Sequence, residues 1–278
     1  MWPPSPAGFF RQDQKLFRWF LTEQDRRQIT GDLAELGVYM GKSAVVVGEY
    51  LRPGETFTVI DLFESLASDS DNQTENVKHY SGLTQHAFEA NYLRFHKRLP
   101  VVVKPPSSEI LNYVAAGAHR FVHVDASHLY EHVRADVASA RALLQESGVV
   151  AFDDVQARHA PGVAAAVWAA VKKDGLRPIV ISQGKLYGTW GSAETWQDDL
   201  LTWLPSSGLE HEVQQVAGGP LIRVWQPAVA GVARSAAKIV LPVCGRASPT
   251  IGKCGIRHAC DVVASQEWCK RLGAQAPG

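Results

Sequence analysis

Two short stretches of this 278-residue chain concentrate side chains that do chemistry. One reads His123-Val124-Asp125-Ala126-Ser127-His128-Leu129-Tyr130, the other Phe152-Asp153-Asp154. Asp125 and the Asp153-Asp154 pair each follow an apolar run, and three carboxylates there make a hard-oxygen set suited to a partly hydrated divalent ion such as Mg2+. Capping of the following helices is the competing explanation, but a cap uses one Asp and not Asp-Asp. His128 is a candidate base, since an unperturbed imidazole with a pKa of about 6.5 is suited to taking a proton at neutral pH. His159, on the loop after Asp154, is a second candidate base. A structural hydrogen bond is the alternative for both. His123 lies inside its apolar run and reads as a core histidine.

A third stretch runs Glu35-Leu36-Gly37-Val38-Tyr39-Met40-Gly41-Lys42-Ser43-Ala44. A glycine turn after a strand lets a ligand approach the backbone closely. Glu35 at the strand end could bind an amino group. Asp61 follows 26 residues later, and an acid at the end of the second strand suits a ribose diol. The glycine spacing is GxxxG and not the GxGxxG of dinucleotide enzymes, so packing of a strand–helix turn is the alternative for the glycines alone.

These residues need a scaffold that brings strand ends together. Short apolar runs at 32–37, 57–60, 101–103, 121–124, 148–152, 179–182 and 221–225 alternate with helical patterns at 42–51, 84–99, 108–116, 129–144 and 161–173. That alternation predicts an α/β fold: a Rossmann-like, doubly wound, mostly parallel seven-stranded sheet with helices on both faces. Ligands of such sheets sit at the carboxyl ends of the strands, where Asp61, Asp125, Asp153 and Asp154 all fall. Residues 1–28 read as a helical segment or lid, with Leu16, Phe17, Phe20 and Leu21 at helical spacing. The polar stretch 66–80 reads as a loop or second lid. Lys185 and Tyr187 fall in a predicted loop, Lys104 at a solvated strand end, and Trp190, Trp196 and Trp203 read as packing or as stacking surfaces.

The stretch from about residue 30 to 225 resembles a class I S-adenosylmethionine-dependent methyltransferase. Within it, the H-V-D-A-S-H-x-Y and F-D-D pair resembles the macrocin and novobiocin sugar O-methyltransferases. The resemblance implies S-adenosyl-L-methionine and Mg2+ or another divalent cation as cofactors. It implies that Asp125, Asp153 and Asp154 ligate the metal, and that Glu35, Gly37, Tyr39, Gly41, Ser43, Asp61 and Asp125 line the cofactor site. Ser107 and Ser108, after the third strand, match the adenine side less specifically. Where the family motif carries a second acid, this chain has Ser127, so the base role passes to His128 or His159. The implied reaction is metal-assisted methyl transfer to a hydroxyl of a sugar or glycosylated small molecule. A catechol-type methyltransferase would show a similar metal site, and a nicotinamide oxidoreductase would share the sheet but lacks its glycine fingerprint here.

Composition sets the bounds. Lys+Arg and Asp+Glu both number 28, which argues against a general nucleic-acid binder. No apolar run reaches the roughly 18–20 residues of a membrane span. Residues 1–10 lack a positive leader region, so the expectation is a cytoplasmic enzyme with a small-molecule or saccharide acceptor, and the family is compatible with a homodimer. The four cysteines, Cys244, Cys254, Cys260 and Cys269, lie in the last 35 residues at gaps that fit no zinc knuckle. They read as free thiols in an appendage spanning 228–278, beyond a methyltransferase domain at 29–227.

Overall fold

The computed structural model describes residues 9–65 and 83–227. The predicted appendage at 228–278 and the polar loop at 66–80 lie outside them. The sheet has nine strands: β1 (Asp32–Leu36), β2 (Phe57–Ile60), β3 (Val101–Val103), β4 (His119–Val124), β5 (Leu144–Phe152), β6 (Arg177–Ile181), β7 (Leu186–Thr189), β8 (Glu210–Val216) and β9 (Gly219–Trp225). Their order is β3-β2-β1-β4-β5-β7-β6-β9-β8. β3, β2, β1, β4 and β5 run parallel, β7 is antiparallel to both neighbours, and β9 is parallel to β6.

The α/β class and the parallel half are as expected, but two strands more are present than the seven predicted. β7 falls in the predicted loop at Lys185–Tyr187 and pairs with β6 as a hairpin. β8 is an edge strand with almost every residue exposed, so it carries no apolar alternation. It exists because Ala217 and Gly218, both at positive φ, close a two-residue turn that zips it onto β9.

Strand residues alternate between two cores. Leu33, Phe57, Phe121, Val149 and Ala151 face one side, where α1 (Arg11–Arg26), α2 (Lys42–Gly48), α3 (Gln85–Tyr92) and α6 (Glu194–Ser207) pack. Ala34, Leu36, Val122, Val124, Val150 and Phe152 face the other, covered by α4 (Tyr130–Leu143) and α5 (Pro161–Lys173). The helix α1 is not the lid its position suggested. Leu16, Phe17, Phe20 and Leu21 are completely buried, and the Phe17 ring meets Phe121, His123 and Tyr187 edge-on. The tryptophans are packing residues: Trp196 is buried against Trp19 and Phe20 with the Arg27 guanidinium over it, and Trp203 lies on Trp19. Lys104 pairs with Glu64 at 2.9 Å. No helix among the described residues is long and apolar enough to cross a membrane.

Candidate active site

A cavity of about 660 Å3 opens at the carboxyl ends of β1, β2, β4 and β5. One wall is formed by Gly37, Tyr39, Asp61, Leu62, Phe63, Ser107 and Ser108, the other by Asp125, Ser127, His128, His132, Asp153, Asp154 and His159. Phe10, Gln183 and Gly184 close one side.

The glycine turn is built for contact between strand ends. Gly37 has φ +80°, and a Cβ there would stand 2.0 Å from the Asp125 carbonyl oxygen. The turn therefore lets the end of β1 abut the end of β4. The amides of Val38 and Tyr39 donate to Asp61 Oδ2 at 2.8 and 3.0 Å, and that of Phe63 to Oδ1 at 2.8 Å. Burial raises the Asp61 carboxyl above its ordinary value and these three donors pull against it. Asp61 thus stands on the cavity wall already oriented, with lone pairs left over for a diol.

Glu35, Gly41 and Ser43 do not line the cavity. The alternation along β1 turns Glu35 toward α1 and α2, the side opposite Ala34 and Leu36. There it is completely buried, accepts a short hydrogen bond from Ser43 Oγ, and meets His123 Nδ1 at 2.9 Å. Burial raises its carboxyl to about 8, against the Ser43 hydrogen bond. The expected contact with a ligand amino group is replaced by this buried network.

The network continues under the cavity floor. Lys185, completely buried at the start of the β6–β7 hairpin, pairs with Asp153 Oδ2 and lies 3.1 Å from His123 Nε2. An ammonium only donates, so Nε2 accepts, and the His123 proton sits on Nδ1 and points to Glu35. Burial and the Lys185 charge hold His123 well below its usual value, so the ring is neutral. Burial alone would favour neutral Lys185, but Asp153, Asp125 and Asp13 outweigh it. Asp13, on α1, accepts from Ser182 Oγ at 2.5 Å and from the Tyr187 hydroxyl at 3.0 Å, and burial raises it to about 6. Burial and the neighbouring Asp153 charge push Asp125 well above the carboxylate range.

The three aspartates predicted as one metal-ligand set are divided by this arrangement. Asp153 spends one oxygen on Lys185 and the other on the Asp154 amide at 2.8 Å. Asp154, at φ +57°, turns the other way, and its Oδ2 lies 3.0 Å from His128 Nε2 and 3.8 Å from His159 Nε2. Burial would raise Asp154, but the His128 hydrogen bond and the charges of both imidazoles and Lys185 hold it low. Among the described residues, ligand atoms gather within 4.8 Å as His128–Asp154–His159 and as His123–Asp125–Asp153. The second group encloses the Lys185 ammonium and is poorly suited to a further cation. The first faces the cavity and fits one.

His132 was not singled out by the sequence. It lines the cavity, with Nδ1 3.1 Å from Ser127 Oγ. Ser127 also accepts the Leu129 amide at 3.2 Å, just before α4 begins at Tyr130. The position where the family motif has an acid is therefore occupied by a serine–histidine pair.

Residues 34–155 match the family described as "Methyltransferase domain". Among solved structures, the chain is similar to the O-methyltransferase NovP at 17% identity, over 69% of this chain and 85% of that one, with a TM-score of 0.54. It also aligns with CalS11, a TDP-rhamnose 3'-O-methyltransferase of calicheamicin biosynthesis, at 17% identity over 68% and 89% of the two chains, with a TM-score of 0.44. A search of curated proteins gives no match. The likeness to NovP is one of fold.

Proposed function

We propose that the chain is an S-adenosylmethionine-dependent methyltransferase that transfers the methyl group to a hydroxyl oxygen of a sugar or glycosylated small molecule, assisted by a divalent cation. The observation that carries this reading is the two-walled cavity. Gly37, Tyr39 and Asp61, with Ser107 and Ser108 beyond them, form the wall suited to a nucleoside with a ribose diol. Imidazoles and carboxylates form the facing wall, suited to holding and deprotonating a hydroxyl. A cavity of about 660 Å3 is within the range of small-molecule sites of roughly 300–1,000 Å3.

In the reaction, the acceptor oxygen attacks the sulfonium methyl carbon opposite the sulfur. An O–CH3 bond forms, the S–CH3 bond breaks to give S-adenosylhomocysteine, and the hydroxyl proton leaves. Orientation supplies much of the rate in such a displacement. Asp61 would hold the cofactor ribose, with Tyr39 beside it in the cavity lining. One of the cavity imidazoles, His128, His132 or His159, takes the proton. A bound divalent ion would lower the pKa of the acceptor hydroxyl. Lys185 and His123 hold Asp153 and the floor in place from below, and Phe10 shields the open side.

A catechol-type acceptor is the second reading, favoured by the aromatic rim of Phe10 and Phe63. Calorimetry with S-adenosylhomocysteine and with NADH tests the cofactor half: the first binds and the second does not. Methyl transfer to glycosides and to catechols, with product analysis, tests the acceptor half. Binding of NADH alone would overturn the proposal.

A further inference from the structure

We propose that the cation of this site is held by His128, Asp154 and His159, and that it is an imidazole-tolerant transition-metal ion such as Mn2+, Fe2+, Co2+, Ni2+ or Zn2+ rather than Mg2+. The ligands differ from the three aspartates that the sequence suggested, and so does the class of metal.

The geometry argues first. Two ligands about 2.0–2.2 Å from one ion stand roughly 3.0–3.5 Å apart when adjacent in a tetrahedral or octahedral shell. His128 Nε2 and His159 Nε2 lie 3.0 and 3.8 Å from the same oxygen, Asp154 Oδ2. The two rings are nearly perpendicular, at 88° and 5.3 Å between centroids, so their nitrogens converge without stacking. Small adjustments of the exposed His159 bring all three to one point.

The competing set argues second. Asp125 and Asp153 would have to admit a dication beside the Lys185 ammonium, which is buried against Asp153. That ammonium already supplies the positive charge there. Among the described residues the outer group is paired with no Lys or Arg, and it opens to the cavity.

The donors argue third. Mg2+ prefers an all-oxygen shell, whereas imidazole suits the later divalent ions. Two imidazoles with one carboxylate are a poor Mg2+ site and a good one for Co2+ or Zn2+. With His128 and His159 committed as ligands, His132 is the cavity imidazole left to take the proton.

The role of this ion in methyl transfer rests on the function proposed above, but its binding is measured without turnover. The full chain, stripped by a chelator, is titrated with Co2+ while its visible ligand-field absorption is followed, and then with Mg2+ in competition. S-adenosylhomocysteine affinity is measured on every sample as a check of fold and of the cofactor reading. Co2+ binds one per chain, and excess Mg2+ displaces it poorly. H128A and H159A each weaken Co2+ binding by at least the roughly 10–100-fold that losing even an outer-shell partner costs. D125N leaves Co2+ binding unchanged, and both histidine variants bind S-adenosylhomocysteine. Absence of Co2+ binding, ready displacement by Mg2+, or loss of binding in D125N but not in the histidine variants would each overturn the inference. Failure to bind S-adenosylhomocysteine with the metal site intact would instead count against the function.

Discussion

The ammonium of Lys185 is paired with the Asp153 carboxylate beneath the cavity floor, with both side chains inaccessible or nearly so, at 0% and 8%. The pair changes how the acidic edge of the sheet works. Burial favours the protonated forms of Asp125 and Glu35 and the neutral form of His123, and one internal cation faces Asp153. The edge is thus less anionic than four strand-end acids suggest.

Lys185→Met removes the cation and leaves Asp153 buried with a charge. Breaking a buried pair from one side costs about 3–5 kcal/mol. The denaturant midpoint of K185M therefore falls sharply at pH 7. An unchanged midpoint at pH 7 would show that the pair does not support the fold.

Glu35 gives the fold a pH dependence of its own. Its folded pKa of about 8 lies above the ordinary 4.5. The folded chain then binds a proton that the unfolded chain has lost, so the contribution to stability is complete below about pH 4.5 and disappears as pH rises through 8. Asp13, raised to about 6, acts over a lower window. Between pH 6.5 and 8 wild-type stability declines by at most about 1.4 kcal/mol per pH unit from Glu35. Denaturation of Glu35→Gln over this range gives a flatter curve; equal slopes would place the Glu35 pKa elsewhere.

His132→Ala lowers kcat by roughly 10²–10⁴-fold if the ring takes the acceptor proton. KM is little changed. An effect confined to KM would make His132 a binding residue and return the proton to another group.

Gly37→Ala places a Cβ 2.0 Å from the Asp125 carbonyl oxygen at a positive φ. The ends of β1 and β4 must separate, moving Asp61's amide donors and Asp125 together. Both thermal stability and S-adenosylhomocysteine affinity fall, and calorimetry showing wild-type affinity in G37A would contradict this account of the turn.

What the sequence made legible follows a physical rule. Asp61, Asp125 and Asp153 end apolar runs that are fully buried in a parallel sheet, so pattern alone put them at one edge. Lys185 was opaque because β7 is four residues long with a glycine in it, and only its antiparallel return against β5 buries the amine under Asp153. Asp154 was legible as an acid but not in its direction, which a positive φ reverses relative to Asp153. His132 is hidden in the sequence because its approach to Ser127 depends on where α4 begins, a boundary that apolar spacing does not fix. The burial of α1 was underestimated for a similar reason: its apolar spacing was plain, but the depth of its contact depends on Phe121 and Tyr187 across the sheet.

The central claim is methyl transfer from S-adenosylmethionine to a hydroxyl oxygen. Its most direct test incubates the full chain with methyl-labelled S-adenosylmethionine and a panel of nucleotide sugars, glycosides and catechols, with and without chelator, and locates the label by NMR. The account predicts one O-methyl group on an acceptor hydroxyl per S-adenosylhomocysteine formed, lost on chelation and restored by a divalent transition metal. A label found on nitrogen or carbon, or transfer undiminished by the chelator, would contradict it.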